Sequence, residues 1–218
     1  MESLADKKKR AKKILKVLAK TYPDAECALH HKNAFELLVA TILSAQCTDE
    51  QVNKVTAELF KKHKRPADFT KLSQSALEKQ VRSIGLFRNK SKSIRGACQA
   101  ICEDFGGKVP ETMEEMLTLP GVARKTANVV LGVAFGKATG VVVDTHVFRL
   151  AYRMALSDQR RYPAKTEKDL MQVFAQSDWI AAGHLLIWHG RRICTARKPL
   201  HDECPVAKLC PMREMKKD

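Results

Sequence analysis

Apolar residues recur along this chain at the three- and four-residue spacing of amphipathic helices, and no run shows the alternation of an exposed strand. Asn33, Ser73 and Asp144 stand where helices are expected to begin and are candidate N-caps. Pro66, after Arg65, and the pair Gly106-Gly107 mark breaks between predicted helices. The pattern predicts an all-α protein with helices near residues 7–21, 35–45, 50–63, 73–81, 89–105, 112–118, 124–135, 145–156, 166–175 and 178–190.

The composition is that of a folded protein that binds a polyanion. Of 218 residues, 44% are apolar and 29% are charged, which excludes a disordered chain. Lys and Arg number 39 against 24 Asp and Glu, a formal net charge of +15 that favours binding to nucleic-acid phosphates. No window approaches the roughly 18 apolar residues of a membrane span, and the N-terminus lacks the apolar core of a secretory signal. We therefore expect a cytoplasmic protein that binds no membrane.

Three of the seven cysteines predict a metal site. The odd count speaks against a secreted disulfide framework, and we interpret Cys27, Cys47, Cys98 and Cys102, which are scattered along the chain, as small apolar residues. The last 25 residues differ from the rest of the chain, because three cysteines lie close together there. Three thiols and an imidazole at regular spacing suit tetrahedral zinc, and histidine also ligates iron–sulfur clusters. The candidate ligands are Cys194, His201, Cys204 and Cys210.

The pattern over residues 112–135 predicts two helices joined by a tight turn at Pro120-Gly121. Glycine permits a backbone conformation that other residues resist and removes side-chain bulk beneath a phosphate. The first turn of the second helix offers backbone N–H groups and the positive end of the helix dipole to an anion. An ordinary helical hairpin is the alternative interpretation of the turn alone. The absence of a polar face for base edges indicates contact with the DNA backbone.

Lys125, one turn into that helix, is a candidate nucleophile. A lysine amine attacks carbon once it has lost its proton, which a helix N-terminus and a neighbouring cation such as Arg124 favour. Asp144, nineteen residues later, follows an apolar run that would hold its carboxylate in a fixed place. Each residue also has a structural interpretation: Lys125 as a phosphate-binding lysine, and Asp144 as an N-cap.

These motifs together resemble the endonuclease III family of base-excision DNA glycosylases. The resemblance rests on Leu119–Leu131 (LPGVARKTANVVL), on Val143–Val147 (VDTHV) and on the cysteine-rich tail, and it covers nearly the whole chain. It implies a helix-hairpin-helix enzyme that is both a glycosylase and an apurinic/apyrimidinic (AP) lyase. Lys125 would be the nucleophile that forms a Schiff base, and Asp144 the second catalytic group. The implied substrate is duplex DNA that contains oxidised pyrimidines or abasic sites.

The same resemblance implies which residues contact DNA. Gln46 matches the position that fills the hole left by a flipped base, and Leu86 matches the wedge; a surface amide and a core leucine are the alternatives. Ala123 replaces a usual glycine of the hairpin, a change we expect to be tolerated. The full set of implied DNA contacts is Gln46, Leu86, Gly121, Ala123, Arg124, His146 and Arg191.

For the tail, the family pattern is C-x6-C-x2-C-x5-C around a four-iron four-sulfur cluster. This chain has His201 in place of the second cysteine. The resemblance favours a [4Fe–4S] cluster with three thiolates and one imidazole, more oxidising and more easily lost than an all-cysteine cluster. Zinc, or a three-iron cluster that leaves His201 unbound, is the alternative.

The resemblance also implies the domain organisation and the setting. A six-helix domain would span residues 27–138, and residues 1–26 would join 139–218 in a second domain that holds the metal loop. We expect a monomeric, prokaryotic, nucleoid-associated protein. Two other functions fit parts of the sequence: a monofunctional adenine-specific glycosylase, which would generally lack the hairpin lysine, and a non-catalytic DNA-binding or metal-sensing module. The sequence does not rank individual lesions.

Overall fold

The computed structural model describes residues 2–212, and every regular element in that part of the chain is helical. The α-helices are α1 Leu4–Thr21, α2 Ala34–Ser44, α3 Asp49–Lys62, α4 Pro66–Thr70, α5 Gln74–Gln80, α6 Phe87–Asp104, α7 Met113–Met116, α8 Arg124–Phe135, α9 Thr145–Arg153, α10 Pro163–Val173 and α11 Trp179–Arg192. Short 3-10 turns occupy Gln176–Asp178 and Ala207–Leu209. The prediction of an all-α fold is confirmed.

The chain divides into two compact units, each with its own apolar core. One unit is Cys27–Thr139, which contains α2 to α8. The other unit combines the described residues of Met1–Glu26 with those of Gly140–Asp218, so that α1 packs with α10 and α11. Fully buried side chains of the first core include Leu37, Ile94 and Leu131, and those of the second include Ile14, Leu18, Leu150 and Leu186.

The three predicted N-caps are all present. The Asn33 side chain accepts a hydrogen bond from the backbone N–H of residue 36 at 2.9 Å, and Ser73 Oγ accepts one from residue 76 at 3.1 Å. Asp144 Oδ1 accepts one from residue 147 at 2.8 Å. Each bond satisfies a donor that has no partner within its helix, so local sequence fixes where α2, α5 and α9 begin.

Proline accounts for two differences from the predicted elements. Pro66 was expected only to break the chain, but it is the first residue of α4. Pro163 likewise begins α10 three residues earlier than predicted. Proline is favoured at the first helical position because its missing N–H would be unpaired there in any case. Phe69 of α4 is fully buried and packs edge-on against Phe35, with ring centroids 5.4 Å apart.

The hairpin turn packs directly on the middle of α6. Gly121 has a φ of +76°, and a Cβ built on it would overlap the Cβ and Oγ of Ser93. On the next turn of α6, a Cβ on Gly96 would lie 3.0 Å from the Cβ of Pro120. The small residues at these positions therefore set how closely the turn approaches the helix.

Replacing Gly121 by alanine should destabilise the protein more than the same change at Gly107. Both glycines have a left-handed backbone, at φ +76° and +78°, but the space around Gly107 is open. Each variant should lose roughly 1–2 kcal/mol of unfolding free energy from the backbone conformation, and Gly121→Ala should lose about 1–3 kcal/mol more through the overlap with Ser93. Urea unfolding of the two variants measures the difference; equal losses would contradict the packing argument.

Candidate active site and metal centre

Lys125 is the second residue of α8 and follows the Pro120-Gly121 turn closely. Its side chain is exposed, as is that of Arg124, whose guanidinium donates to the Thr139 carbonyl at 3.3 Å. Ala123, the N-cap, has an extended backbone with φ −93° and ψ 167°, a conformation that introduces no strain in alanine. Two cationic side chains thus lie at the positive end of α8, where an anion binds well.

Asp144 lies at the start of α9 and is half-buried. Its Oδ1 accepts the capping hydrogen bond, and this fixes the orientation of the carboxylate. His146, one turn into the helix, lies 3.2 Å from a guanidinium nitrogen of Arg149 through its Nδ1. A Cβ on Gly190 would lie 2.9 Å from the Cβ of His146, so α9 and α11 approach closely here. The exposed Arg191 follows Gly190 directly.

Gln46 and Leu86 lie on adjacent segments and share an unusual backbone. Their φ angles are +54° and +57°; in residues 2–212 the other non-glycine residue with positive φ is Ala155. Both side chains are exposed, Leu86 to 56% of its maximum. A Cβ on Gly85 would lie 3.6 Å from the Gln46 carbonyl oxygen, which places the two segments in contact. Leu86 is therefore on the surface, and its alternative as a core leucine is wrong.

The four predicted ligands of the tail line one small cavity. Nε2 of His201 is buried and has no hydrogen-bond partner, which is unusual for a buried polar atom. Within residues 2–212, no three His, Cys, Asp or Glu side chains converge tightly enough to hold a single metal ion. The lining includes Cys194, His201, Cys204 and Cys210, with apolar neighbours such as Ile193, Pro199 and Leu200.

Two arginines of α9 stabilise this loop by donating hydrogen bonds to backbone carbonyls. Arg149 donates to the carbonyls of Gly190 and Cys194, each at 2.9 Å. Arg153 donates to the Thr195 carbonyl at 2.7 Å and lies 3.3 Å from the Cys194 sulfur. Sequence analysis did not identify these arginines. Their spacing of four residues on α9, which places them on one helix face, was the available signal.

A buried histidine approaches the second thiol of the loop. His189 is completely buried, and its Nε2 lies 3.6 Å from Cys204 Sγ. Its Nδ1 lies 3.0 Å from the Tyr22 hydroxyl. Burial lowers the pKa of His189 to about 4, so the ring is neutral at physiological pH. The neutral ring carries one proton, so one of its nitrogens donates and the other accepts in the contacts with the Tyr22 hydroxyl and the Cys204 sulfur.

The outer edge of the same region is cationic. Arg191, Arg197 and Lys198 are exposed, and the guanidinium of Arg192 lies 4.2 Å from the centre of the Trp188 ring. No helix in residues 2–212 combines the length and the apolar character needed to span a bilayer.

Comparison with known proteins gives matches over the whole chain. The family "HhH-GPD superfamily base excision DNA repair protein" matches residues 39–176, and "Iron-sulfur binding domain of endonuclease III" matches residues 194–210. Endonuclease III of Synechocystis sp. is 52% identical over 211 residues, which cover 97% of this chain and 96% of the relative.

Solved structures agree with the sequence matches. A trapped endonuclease III–DNA covalent intermediate, an estranged-adenine complex, is similar with a TM-score of 0.91 and 40% identity over all of both chains. A non-covalent endonuclease III–DNA complex is similar with a TM-score of 0.90 and 41% identity, again over all of both chains. Because the matches include both the hairpin helices and the cysteine-rich loop, the chain belongs to the endonuclease III family of base excision DNA repair proteins and is a DNA glycosylase with AP lyase activity.

Proposed function

We propose that this enzyme removes oxidised pyrimidines from duplex DNA and cleaves the strand through a Schiff base on Lys125. The observation that carries the proposal is the exposed amine of Lys125 at the N-terminus of α8, where backbone N–H groups and the helix dipole favour a DNA phosphate. A similar endonuclease III, at 40% identity, is known as a trapped covalent intermediate with DNA. A covalent bond between enzyme and DNA is what amine attack on the sugar requires.

The reaction begins with the damaged nucleotide outside the base stack, because the enzyme cannot reach its sugar within the duplex. The deprotonated amine of Lys125 bonds to C1′ of the deoxyribose. The C1′–N bond breaks, and the base leaves with its electron pair and a proton. The C1′–O4′ bond then opens, O4′ takes up the proton that the lysine ammonium first lost, and an iminium forms between Lys125 and C1′. Loss of a proton from C2′ expels the 3′ phosphate, and water releases the sugar and regenerates the amine.

Asp144 has two compatible roles in this scheme. Its Oδ1 caps α9, and this bond holds the carboxylate in one orientation. Its second oxygen would take up the lysine proton and stabilise positive charge that develops on the sugar. We assign the phosphate contacts to Gly121, Ala123 and Arg124 in the hairpin. Further contacts come from His146 and Arg191, and from Gln46 and Leu86 inside the duplex.

Borohydride trapping tests the covalent step. Wild-type enzyme should form a reduced adduct with duplex that contains thymine glycol or an abasic site, because only an imine can be reduced. Lys125→Ala should form none and retain duplex affinity within about threefold, since phosphate contacts supply most of the binding. Asp144→Asn should slow trapping on the order of 10²–10⁴-fold.

Lys108→Ala, which removes another exposed lysine, is the control and should trap at the wild-type rate. Strand cleavage by Lys125→Ala would overturn the assignment of the nucleophile. Base release without any adduct in the wild type would instead indicate a monofunctional glycosylase. Binding without either reaction would indicate a non-catalytic module.

We propose further that Cys194, His201, Cys204 and Cys210 hold a [4Fe–4S] cluster. All four lie within the stretch that matches the iron–sulfur domain of endonuclease III, and all four line one cavity. The buried Nε2 of His201 gains a partner if it ligates iron. The cluster supports the loop that carries the cationic edge, and the reaction steps do not involve it.

Changing His201 to cysteine tests this ligand set. A thiolate adds one negative charge relative to a neutral imidazole, so the variant should have a reduction potential lower on the order of 100 mV and should retain iron longer in chelator. His201→Ala should lose iron faster than wild type. Visible absorbance, iron analysis and voltammetry are the measurements. A colourless protein that contains zinc would contradict the cluster, and unchanged potential and iron loss in both variants would leave His201 without a role as ligand.

The family and the net positive charge of the chain support a proposal for its DNA partner and its location in the cell. We propose that the enzyme acts on chromosomal DNA in the bacterial cytoplasm, in association with the nucleoid; the net charge of +15 and the bacterial origin of the relatives support this. We also propose that it acts as a monomer. The exposed large apolar side chains of the described chain are at separate points in the sequence: Leu4, Leu86, Leu117 and Tyr162.

A further inference from the structure

Gln46 and Leu86 have a backbone conformation that must be imposed by their surroundings. Left-handed backbone angles are unfavourable for a non-glycine residue. Such a conformation persists where neighbouring structure determines it, and it is often found at functional sites. Both side chains are exposed, so their own packing contributes little to holding them. The restraint therefore has to act on the backbone of the two segments.

Lys90 is bonded to both of these segments. Its backbone N–H donates to the Leu86 carbonyl at 3.1 Å, in the first turn of α6. Its ammonium Nζ donates to the carbonyls of Leu43 and Ala45, at 2.9 and 2.5 Å, at the end of α2. Gln46 is the next residue after Ala45. Lys90 thus connects two segments: its ammonium binds the C-terminus of α2, which is the negative end of the helix dipole, and its backbone N–H binds the segment that carries Leu86.

The burial of Lys90 shows that this tie is unusual. The residue is only 5% exposed, and burial lowers its pKa. Both acceptors of its ammonium are main-chain carbonyls, and no carboxylate pairs with it among the described contacts. Buried lysines are rare because removing the charge from water is unfavourable. An apolar residue would fill the same space, but it would leave two carbonyls without this donor.

We infer that Lys90 is a positioning residue that locks Gln46 and Leu86 into one rigid pair, so that both enter the duplex together at a damaged nucleotide. The inference rests on the proposed function, in which these two residues replace and wedge apart bases. A preformed pair avoids the loss of conformational entropy that two mobile loops would suffer on binding. The expected effect of Lys90 is therefore on recognition of damage and not on general affinity for DNA.

Lys90→Met tests the inference, because methionine keeps the length and the apolar stem while it removes the donors. The holoenzyme variant should bind duplex with a tetrahydrofuran abasic analogue about tenfold more weakly, as expected when hydrogen bonds from a charged group are lost. Its affinity for undamaged duplex should change less than about twofold, since phosphate contacts remain. Lys92→Met, an exposed lysine on the same helix, is the control for the lost charge and should not change the ratio of the two affinities.

A double-mutant cycle separates positioning from a merely structural role. In the Gln46→Ala/Leu86→Ala background, Lys90→Met should weaken binding to the abasic analogue by less than about twofold, because residues that act through one another are non-additive. Hydrogen exchange in the DNA-free enzyme should also be faster in residues 44–48 and 84–88 of Lys90→Met. If that variant does not fold, Lys90→Gln, which retains one donor group, takes its place in each measurement.

The outcomes separate this inference from the proposed function. Equal losses on both duplexes, an additive loss in the cycle, or unchanged exchange in the two segments would overturn the role of Lys90. Failure of the wild-type enzyme to form a borohydride adduct would overturn the Schiff-base proposal. The binding ratio and the exchange rates would still decide on Lys90, since neither requires chemistry.

Discussion

Close packing on α6 determines where the hairpin turn and the Gln46 and Leu86 segments of the Cys27–Thr139 unit lie. The middle of this helix holds the hairpin turn, because Ser93 and Gly96 leave room for Gly121 and Pro120 and for nothing larger. Its first turn holds the strained segments through Lys90. The helix is anchored by fully buried side chains such as Ile94, so it is the rigid part of the arrangement. The proposed roles of Lys125 and Leu86 both need accurate placement, and one helix supplies a common reference for the hairpin turn and the Leu86 segment.

In the second unit, charged side chains hold the metal loop in place, whereas in the first unit close packing holds the hairpin turn in place. Its metal loop has little regular structure, and the carbonyls of Cys194 and Thr195 accept hydrogen bonds from guanidinium groups of α9. Because Arg149 also contacts His146, the loop and the start of α9 share one hydrogen-bonded network. The orientation of the α9 N-terminus, with Asp144 as its cap, is thereby linked to the loop that carries the cationic edge.

Much of the fold could be predicted from local sequence. Helix periodicity, the caps at Asn33, Ser73 and Asp144, and the turn at Pro120-Gly121 are short-range features, and the structure has each of them. The missed α4 shows the limit of that reasoning, because a proline that stops one helix can also begin the next. The motifs that carry the resemblance identified the family, which no periodicity could have done.

What the sequence could not provide depends on contacts between distant residues. In the sequence, nothing distinguishes Lys90 from the other members of a set of 39 basic residues. Only the structure shows that its ammonium donates hydrogen bonds to backbone carbonyls more than forty positions away. Arg149 and Arg153 likewise meet the metal loop across more than forty residues. The left-handed angles at Gln46 and Leu86 also leave no signal in residue type, because both are non-glycine residues.

The alanine at the N-cap of α8 has a consequence for the balance between stability and ligand binding. Serine, threonine or aspartate at position 123 would stabilise the helix by about 1 kcal/mol, since its oxygen would accept a first-turn N–H. The same oxygen would occupy the donors that a phosphate needs. The free enzyme therefore lacks a stabilising side-chain cap here, and in the proposed complex a DNA phosphate supplies the acceptor. Thermal resistance should accordingly rise when the enzyme is saturated with duplex, and natural selection for activity would act against the most stabilising residue at this position.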